Sequence, residues 1–330
     1  MRTEAAVGAA SVKKLDRQAE AVLERFRRAT LPRYAEIGAV AARDLYRKSR
    51  AVLAAPPPDV ALADDFQIPG PAGLLAIRHY RGHGTTQSES LPALVYFHGG
   101  GHTIGNLDTH DTVCRQFANA GRCAVVSVEY RLAPEHKFPA AFDDAVAATR
   151  WVATRGAKLG IDTSRVAIGG DSAGGNLAAA AAIALRDAGG PPLSMQVLVY
   201  PTVDMAYETP SSYEYGDGYL LTRDSIDWFR SNYLRDDPDV DDWRASPIRA
   251  ASLAHLPPAC IITAGFDPLL DEGREYAEKL QSEGVPTVYE CFEGQIHGFV
   301  TMGGVIAAAH HAIYRACQFM RVVWGGGKFR

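Results

Sequence analysis

Gly170-Asp171-Ser172-Ala173-Gly174 constrains this chain more than any other stretch. Val166-Ala167-Ile168-Gly169 before it reads as a short buried strand, and the run from Ala173 to Arg186 reads as a helix. A strand that turns into a helix through Gly-x-Ser-x-Gly holds its serine on a strained corner at the sheet edge. Gly170 and Gly174 flank the corner where side chains would collide. The helix N-terminus past Ser172 puts partial positive charge where an oxyanion would form. The pentapeptide alone is a weak signal, because glycine and serine are common in turns. The strand before it and the helix after it make it specific.

A second element lies upstream. Leu94-Val95-Tyr96-Phe97 reads as a buried strand and runs into His98-Gly99-Gly100-Gly101. Three glycines past a strand end leave backbone N–H groups bare, and a tetrahedral acyl-transfer intermediate needs such donors. The bland reading is a flexible loop. With the serine corner, the expectation is that the N–H groups of Gly100, Gly101 and Ala173 form an oxyanion hole.

These motifs resemble the hormone-sensitive-lipase-like family of α/β-hydrolases, the family IV bacterial esterases. The resemblance is carried by His98–Gly101, by Gly170–Asn176, and by Tyr130-Arg131-Leu132-Ala133-Pro134-Glu135. Asp267-Pro268-Leu269-Leu270-Asp271-Glu272 and His297-Gly298-Phe299 extend it, over about residues 60 to 322. His102 departs from the family, which usually has an aromatic or aliphatic residue after the three glycines. Either a loop position in solvent or a place on the pocket wall fits it. The resemblance implies a serine carboxylesterase acting on short- to medium-chain esters of small molecules through an acyl-enzyme. It implies no metal and no organic cofactor. Two alternatives stay open: a small-molecule amidase or deacetylase using the same site, and a non-catalytic receptor-like binding protein. Plant gibberellin receptors resemble the family too, but lack the histidine.

In α/β-hydrolases the chain order is nucleophile, acid, histidine. Of ten histidines, only His255, His297, His310 and His311 follow Ser172. His310 and His311 sit in a helical pattern over 305–323, and His255 has no strand ahead of it. His297 follows the strand-like run Val288–Phe292 and a short loop, where such folds place functional groups. Asp267 ends the apolar strand Ala259–Ala264 and precedes Pro268, which suits a helix start. It is the expected triad acid, with a plain helix N-cap as the bland reading. Asp271 and Glu272 compete for the role but read as first-turn partners of the helix dipole.

A net charge of −4 gives no electrostatic reason to bind nucleic acid or anionic membrane. No apolar run reaches transmembrane length. The five cysteines are scattered without C-x-x-C spacing, so Cys260 and Cys291 read as small apolar fillers. The charged first 30 residues carry no apolar secretory stretch, so a reducing cytoplasm is expected. A homodimer remains open.

Val12, Leu15, Ala19, Val22 and Phe26 share one helical face, which Ser11 is placed to cap. A second helix follows Leu31-Pro32 to about Leu53, and Pro56-Pro57-Pro58 ends it. Strand-like segments near 62–68, 74–81, 93–98, 124–130, 165–170, 195–200, 259–265 and 287–293 alternate with helical stretches. The expected architecture is an α/β-hydrolase fold: a mostly parallel eight-stranded sheet, helices on both faces, and a helical cap. Residues 1–55 are the expected N-terminal part of the cap, and 56–330 the catalytic domain with a cap insertion at about 203–247. The insertion holds Tyr207, Tyr213, Tyr215, Tyr219, Trp228, Phe229 and Tyr233. The tail Gly325–Arg330 reads as frayed.

Overall fold

A single eight-stranded sheet follows from the apolar runs. Its strands are β1 (Leu62–Gly70), β2 (Gly73–Arg81), β3 (Leu91–Phe97), β4 (Ala124–Val128), β5 (Ile161–Asp171), β6 (Met195–Val199), β7 (Ala259–Phe266) and β8 (Thr287–Ile296). The computed structural model describes residues 13–206 and 208–327. Strand order is β1-β2-β4-β3-β5-β6-β7-β8, with β2 antiparallel to β1 and β4 and every other pairing parallel. The strands β3, β4, β6 and β7 are almost wholly buried, because helices cover both faces of the sheet.

The helices are α1 (Arg17–Ala29), α2 (Tyr34–Leu53), α3 (Asp111–Gly121), α4 (Ala140–Arg155), α5 (Ala173–Asp187), α6 (Pro210–Glu214), α7 (Arg223–Tyr233), α8 (Leu270–Ser282) and α9 (Ala308–Trp324). Apolar faces of α4, α5 and α8 build one core layer, and those of α1, α3 and α9 build the other. The alanine run of α5, Ala178 to Ala182, is buried, which lets this helix lie close against the central strands. No described helix is long and apolar enough to cross a membrane.

Several expected boundaries move. The first described helix starts at Arg17, because Asp16 caps it, accepting from Gln18 N at 2.7 Å and Ala19 N at 3.4 Å. Leu15 therefore precedes the helix; Ser11 and Val12 lie outside the described residues, as do Tyr207 and the tail residues 328–330. Gly325 and Gly327 fold back on the last helical turn, donating to Arg321 O at 3.0 Å and Val322 O at 2.8 Å, so that part of the tail is ordered structure. The last helix begins at Ala308 rather than 305, after a tight turn in which Val305 N and Ile306 N both donate to Met302 O. Pro268 lies in a turn two residues ahead of α8, and Leu270 N donates to Asp267 O at 3.1 Å. Helix α2 kinks at Gly38, whose φ of 74° is left-handed.

Helix α2 and the segment between β6 and β7 meet above the C-terminal strand ends. Tyr34 packs on Trp228 and Phe229, with ring centroids 5.6 and 5.9 Å apart. Arg33 lies 3.7 Å from Asp224 across the same contact.

Candidate active site

The turn from β5 into α5 takes one residue. Ser172 adopts φ 55° and ψ −121°, a conformation that costs an L-residue free energy and persists only where its surroundings impose it. The surroundings do so by close packing. A side chain at Gly174 would collide with the Phe97 carbonyl, and one at Gly170 with Gly174 itself. Ser172 N donates to Val199 O at 2.9 Å, which fixes the corner to β6.

Asp171 anchors the turn from below. It is buried, accepting from Tyr96 Oη at 2.8 Å and from Gly99 N at 3.0 Å, with His110 Nε2 3.3 Å from its second oxygen. Burial alone would raise this carboxyl; the His110, Tyr96 and His98 side chains more than offset it and hold the group below the ordinary carboxylate value. One carboxylate thus joins the serine corner to the glycine loop after β3. His98, next in that loop, stacks on Tyr130 at 4.3 Å, and burial with His110 nearby pushes its imidazole down to about 3.

The glycine loop is also held from above. Arg43 of α2 donates from Nε to Thr103 O and from Nη2 to Ala133 O, each at 2.8 Å, and makes a forked pair with Glu135 at 2.8 and 2.6 Å. Gly100 and Gly101 have φ of 128° and 55°, and a side chain at Gly101 would overlap the Phe229 ring. Among the described residues, the backbone N–H groups of Gly100, Gly101 and Ala173 meet no acceptor. All three residues line the cavity that Ser172 lines.

His297 follows β8 and completes the cluster. Its Nε2 is 3.0 Å from Ser172 Oγ, and its Nδ1 is 2.7 Å from Asp267 Oδ2. With the proton on Nδ1, the ring donates to Asp267 and accepts from the serine hydroxyl. Asp267 is buried, and its other oxygen accepts from Leu269 N at 2.9 Å. Asp267 therefore holds the turn ahead of α8 and the histidine with one carboxylate; the N-cap of α8 itself is Leu269. The competing acids face elsewhere. Asp271 accepts from Ser211 N at 2.8 Å and pairs with Arg274 at 2.9 Å. Glu272 accepts from Val203 N at 2.7 Å, and burial holds its carboxyl well above the ordinary value. His255, His310 and His311 are exposed. Ser172, Asp267, His297, Gly100, Gly101 and Ala173 thus come together in one place.

The cavity has a volume of about 700 Å³ and opens where α2 and the β6–β7 segment overhang the strand ends. That is where open α/β sheets bind ligands. His102, with φ 56°, is buried and belongs to the cavity wall, stacked on Tyr233 with centroids 3.7 Å apart. Burial pushes its imidazole down to about 3, so it is neutral, and its Nε2 has no partner among the described residues.

A family profile described as the alpha/beta hydrolase fold matches residues 94–301. The chain belongs to this family, in its hormone-sensitive-lipase-like branch. Among its relatives, an esterase of Mycobacterium tuberculosis named LipI is 45% identical over 264 residues, 79% of this chain and 82% of that protein. An ethyl acetate hydrolase of Pseudomonas putida is 37% identical over 284 residues, 85% of this chain and 89% of the relative. A crystal structure of an ester hydrolase from the metagenome of Lake Arreo, complexed with a phosphonate derivative, superposes with a TM-score of 0.91. It is 39% identical and covers 94% of this chain and 99% of that one. Within this hydrolase family the strap by Arg43 could not be read from motifs, since its partners lie 60 to 92 positions away in sequence. The only local sign was the Arg-rich character of α2.

Proposed function

We infer that this chain is a serine carboxylesterase working through an acyl-enzyme. The observation that carries the reading is the unbroken path from Asp267 through His297 to Ser172 Oγ, facing three unpaired amides in one cavity. His297 takes the serine proton through Nε2 as Oγ attacks the ester carbonyl. Asp267 fixes the Nδ1–H tautomer and stabilises the imidazolium. The amides of Gly100, Gly101 and Ala173 receive the oxyanion, each such donor being worth about 3 kcal/mol in comparable sites. His297 then protonates the leaving alcohol, and water attacks the acyl-enzyme with His297 again as base.

Helix α2 and the 203–247 segment act together as a cap, supported by the Tyr34–Trp228–Phe229 contact above the cavity. Their aromatic lining excludes water and suits acyl groups of short to medium length. The five free cysteines fit a reducing compartment such as the cytoplasm.

A serine-reactive phosphonate and an aryl-ester assay test the reading together. The expected result is labelling at Ser172 and loss of turnover by orders of magnitude in a folded Ser172→Ala variant. Near-normal turnover in Ser172→Ala would sink the mechanism. Binding without labelling or turnover would instead mark a receptor-like protein.

A further inference from the structure

Arg50, in the last turn of α2, is 4% exposed and lines the same cavity as Ser172 and His297. Among the described residues its guanidinium makes one hydrogen bond, from Nη1 to the neutral Thr301 hydroxyl at 2.7 Å. Its Nε meets no acceptor, and no ion pair neutralises it among the described residues. The Tyr46 ring lies against it, 5.0 Å from the ring centroid. Tyr200, whose buried hydroxyl also has no partner among the described residues, places its ring 4.7 Å from that of His297. Of the acids that line the cavity, none pairs with Arg50 among the described residues. Asp171 serves Tyr96, Gly99 and His110, and Asp204 pairs with Arg249 at 3.0 Å. Arg33, at the same cavity, differs in being paired with Glu36 at 2.9 Å.

A buried cation without a counter-charge is costly, and the cost falls when an anion enters the site. A guanidinium is planar, permanently charged and shaped to bind a carboxylate through two donors. Arg50 Nε is enclosed, whereas its Nη2 has no acceptor among the described residues and keeps accessible surface, so Nη2 is the donor left to meet a carboxylate from the cavity. We propose that Arg50 receives a carboxylate on the substrate, so that the favoured esters carry a second, ionised acid group. Monoesters of dicarboxylic acids and acyl esters of hydroxy acids are the two chemical forms of that class. This rests on Ser172 being the ester nucleophile, and it adds a specificity residue that none of the sequence motifs contains.

The test uses two matched pairs followed by pH-stat: monomethyl glutarate against methyl glutaramate, and 3-acetoxypropionate against 3-acetoxypropanamide. Each amide has the size and polarity of its acid without the charge. In wild type, kcat/KM should favour the acid in at least one pair. Arg50→Gln should lower that acid-to-amide ratio tenfold or more, the usual effect of losing a charge-assisted contact, and Arg50→Lys should lower it less. Each ratio is read within one preparation, so a poorly folded fraction of a variant cancels. A fall below tenfold in both pairs, or an equal loss on acid and amide, overturns the proposal and leaves Arg50 as an anchor for Thr301. Wild type that cleaves p-nitrophenyl acetate but no charged ester overturns it too, with the esterase reading intact. Failure on p-nitrophenyl acetate itself sinks the esterase reading.

Discussion

Replacing Asp267 by asparagine changes one atom and tests the orientation of His297. The Asp267 carboxylate has two jobs, accepting from Leu269 N at 2.9 Å and from His297 Nδ1 at 2.7 Å. An asparagine oxygen can keep the first bond. Its NH2 then faces Nδ1 and donates, so the imidazole must carry its proton on Nε2. A protonated Nε2 cannot accept from Ser172 Oγ, 3.0 Å away, and the base is lost without any movement of the backbone. Wrong-tautomer substitutions of this kind cost about ten-thousand-fold in kcat, which is about 5.4 kcal/mol at about 1.36 kcal/mol per decade. Asp271→Asn is the control, since Asp271 serves Ser211 and Arg274 and should cost less than about tenfold. The assay is kcat/KM on p-nitrophenyl butyrate, with circular dichroism to establish folding. A loss below tenfold in Asp267→Asn, or a larger loss in Asp271→Asn, refutes the orientation argument.

Two further outcomes follow from buried groups. His102→Phe should remove an unpartnered imidazole nitrogen beside Tyr233, leave the melting temperature equal or higher, and change the ranking of acyl or alcohol groups across an ester panel without changing the pH profile. An unchanged ranking would make His102 a bystander. Glu272 ionises near pH 4.3 in the unfolded chain, while burial raises it well above that in the fold; the fold therefore loses stability as pH rises from about 4.3 toward the raised value. Glu272→Gln should remove that loss, so the melting temperature of the variant relative to wild type should climb between pH 4 and pH 8. A difference that stays flat across this range would contradict a carboxyl raised by burial.

The sequence made the sheet legible because its strands are continuous apolar runs, and the eight segments expected from them appear in the fold with small shifts at their ends. Ser172, Asp267 and His297 were legible because each sits in a short local pattern at a strand end. What could not be read depends on distant partners. Arg43 looks like any surface arginine until Thr103, Ala133 and Glu135 are placed under it. Arg50 looks the same until its burial is known. His102 left two readings because a loop residue after three glycines can turn either way; the stack on Tyr233, from α7, decides it. The start of α1 shifted because Asp16 outcompetes a hydrophobic pattern that continues on its N-terminal side.

The strap from Arg43 ties two properties together that are often treated as separable. Helix α2 roofs the cavity, and the same helix grips the carbonyls flanking the glycine loop. A chimera that imports another roof to change which esters are accepted would also import a different grip on the amides proposed to receive the oxyanion. Exchanging residues 34 to 53 as a block should therefore trade turnover along with selectivity, whereas point changes on the cavity side that spare Arg43 leave the two free to vary independently.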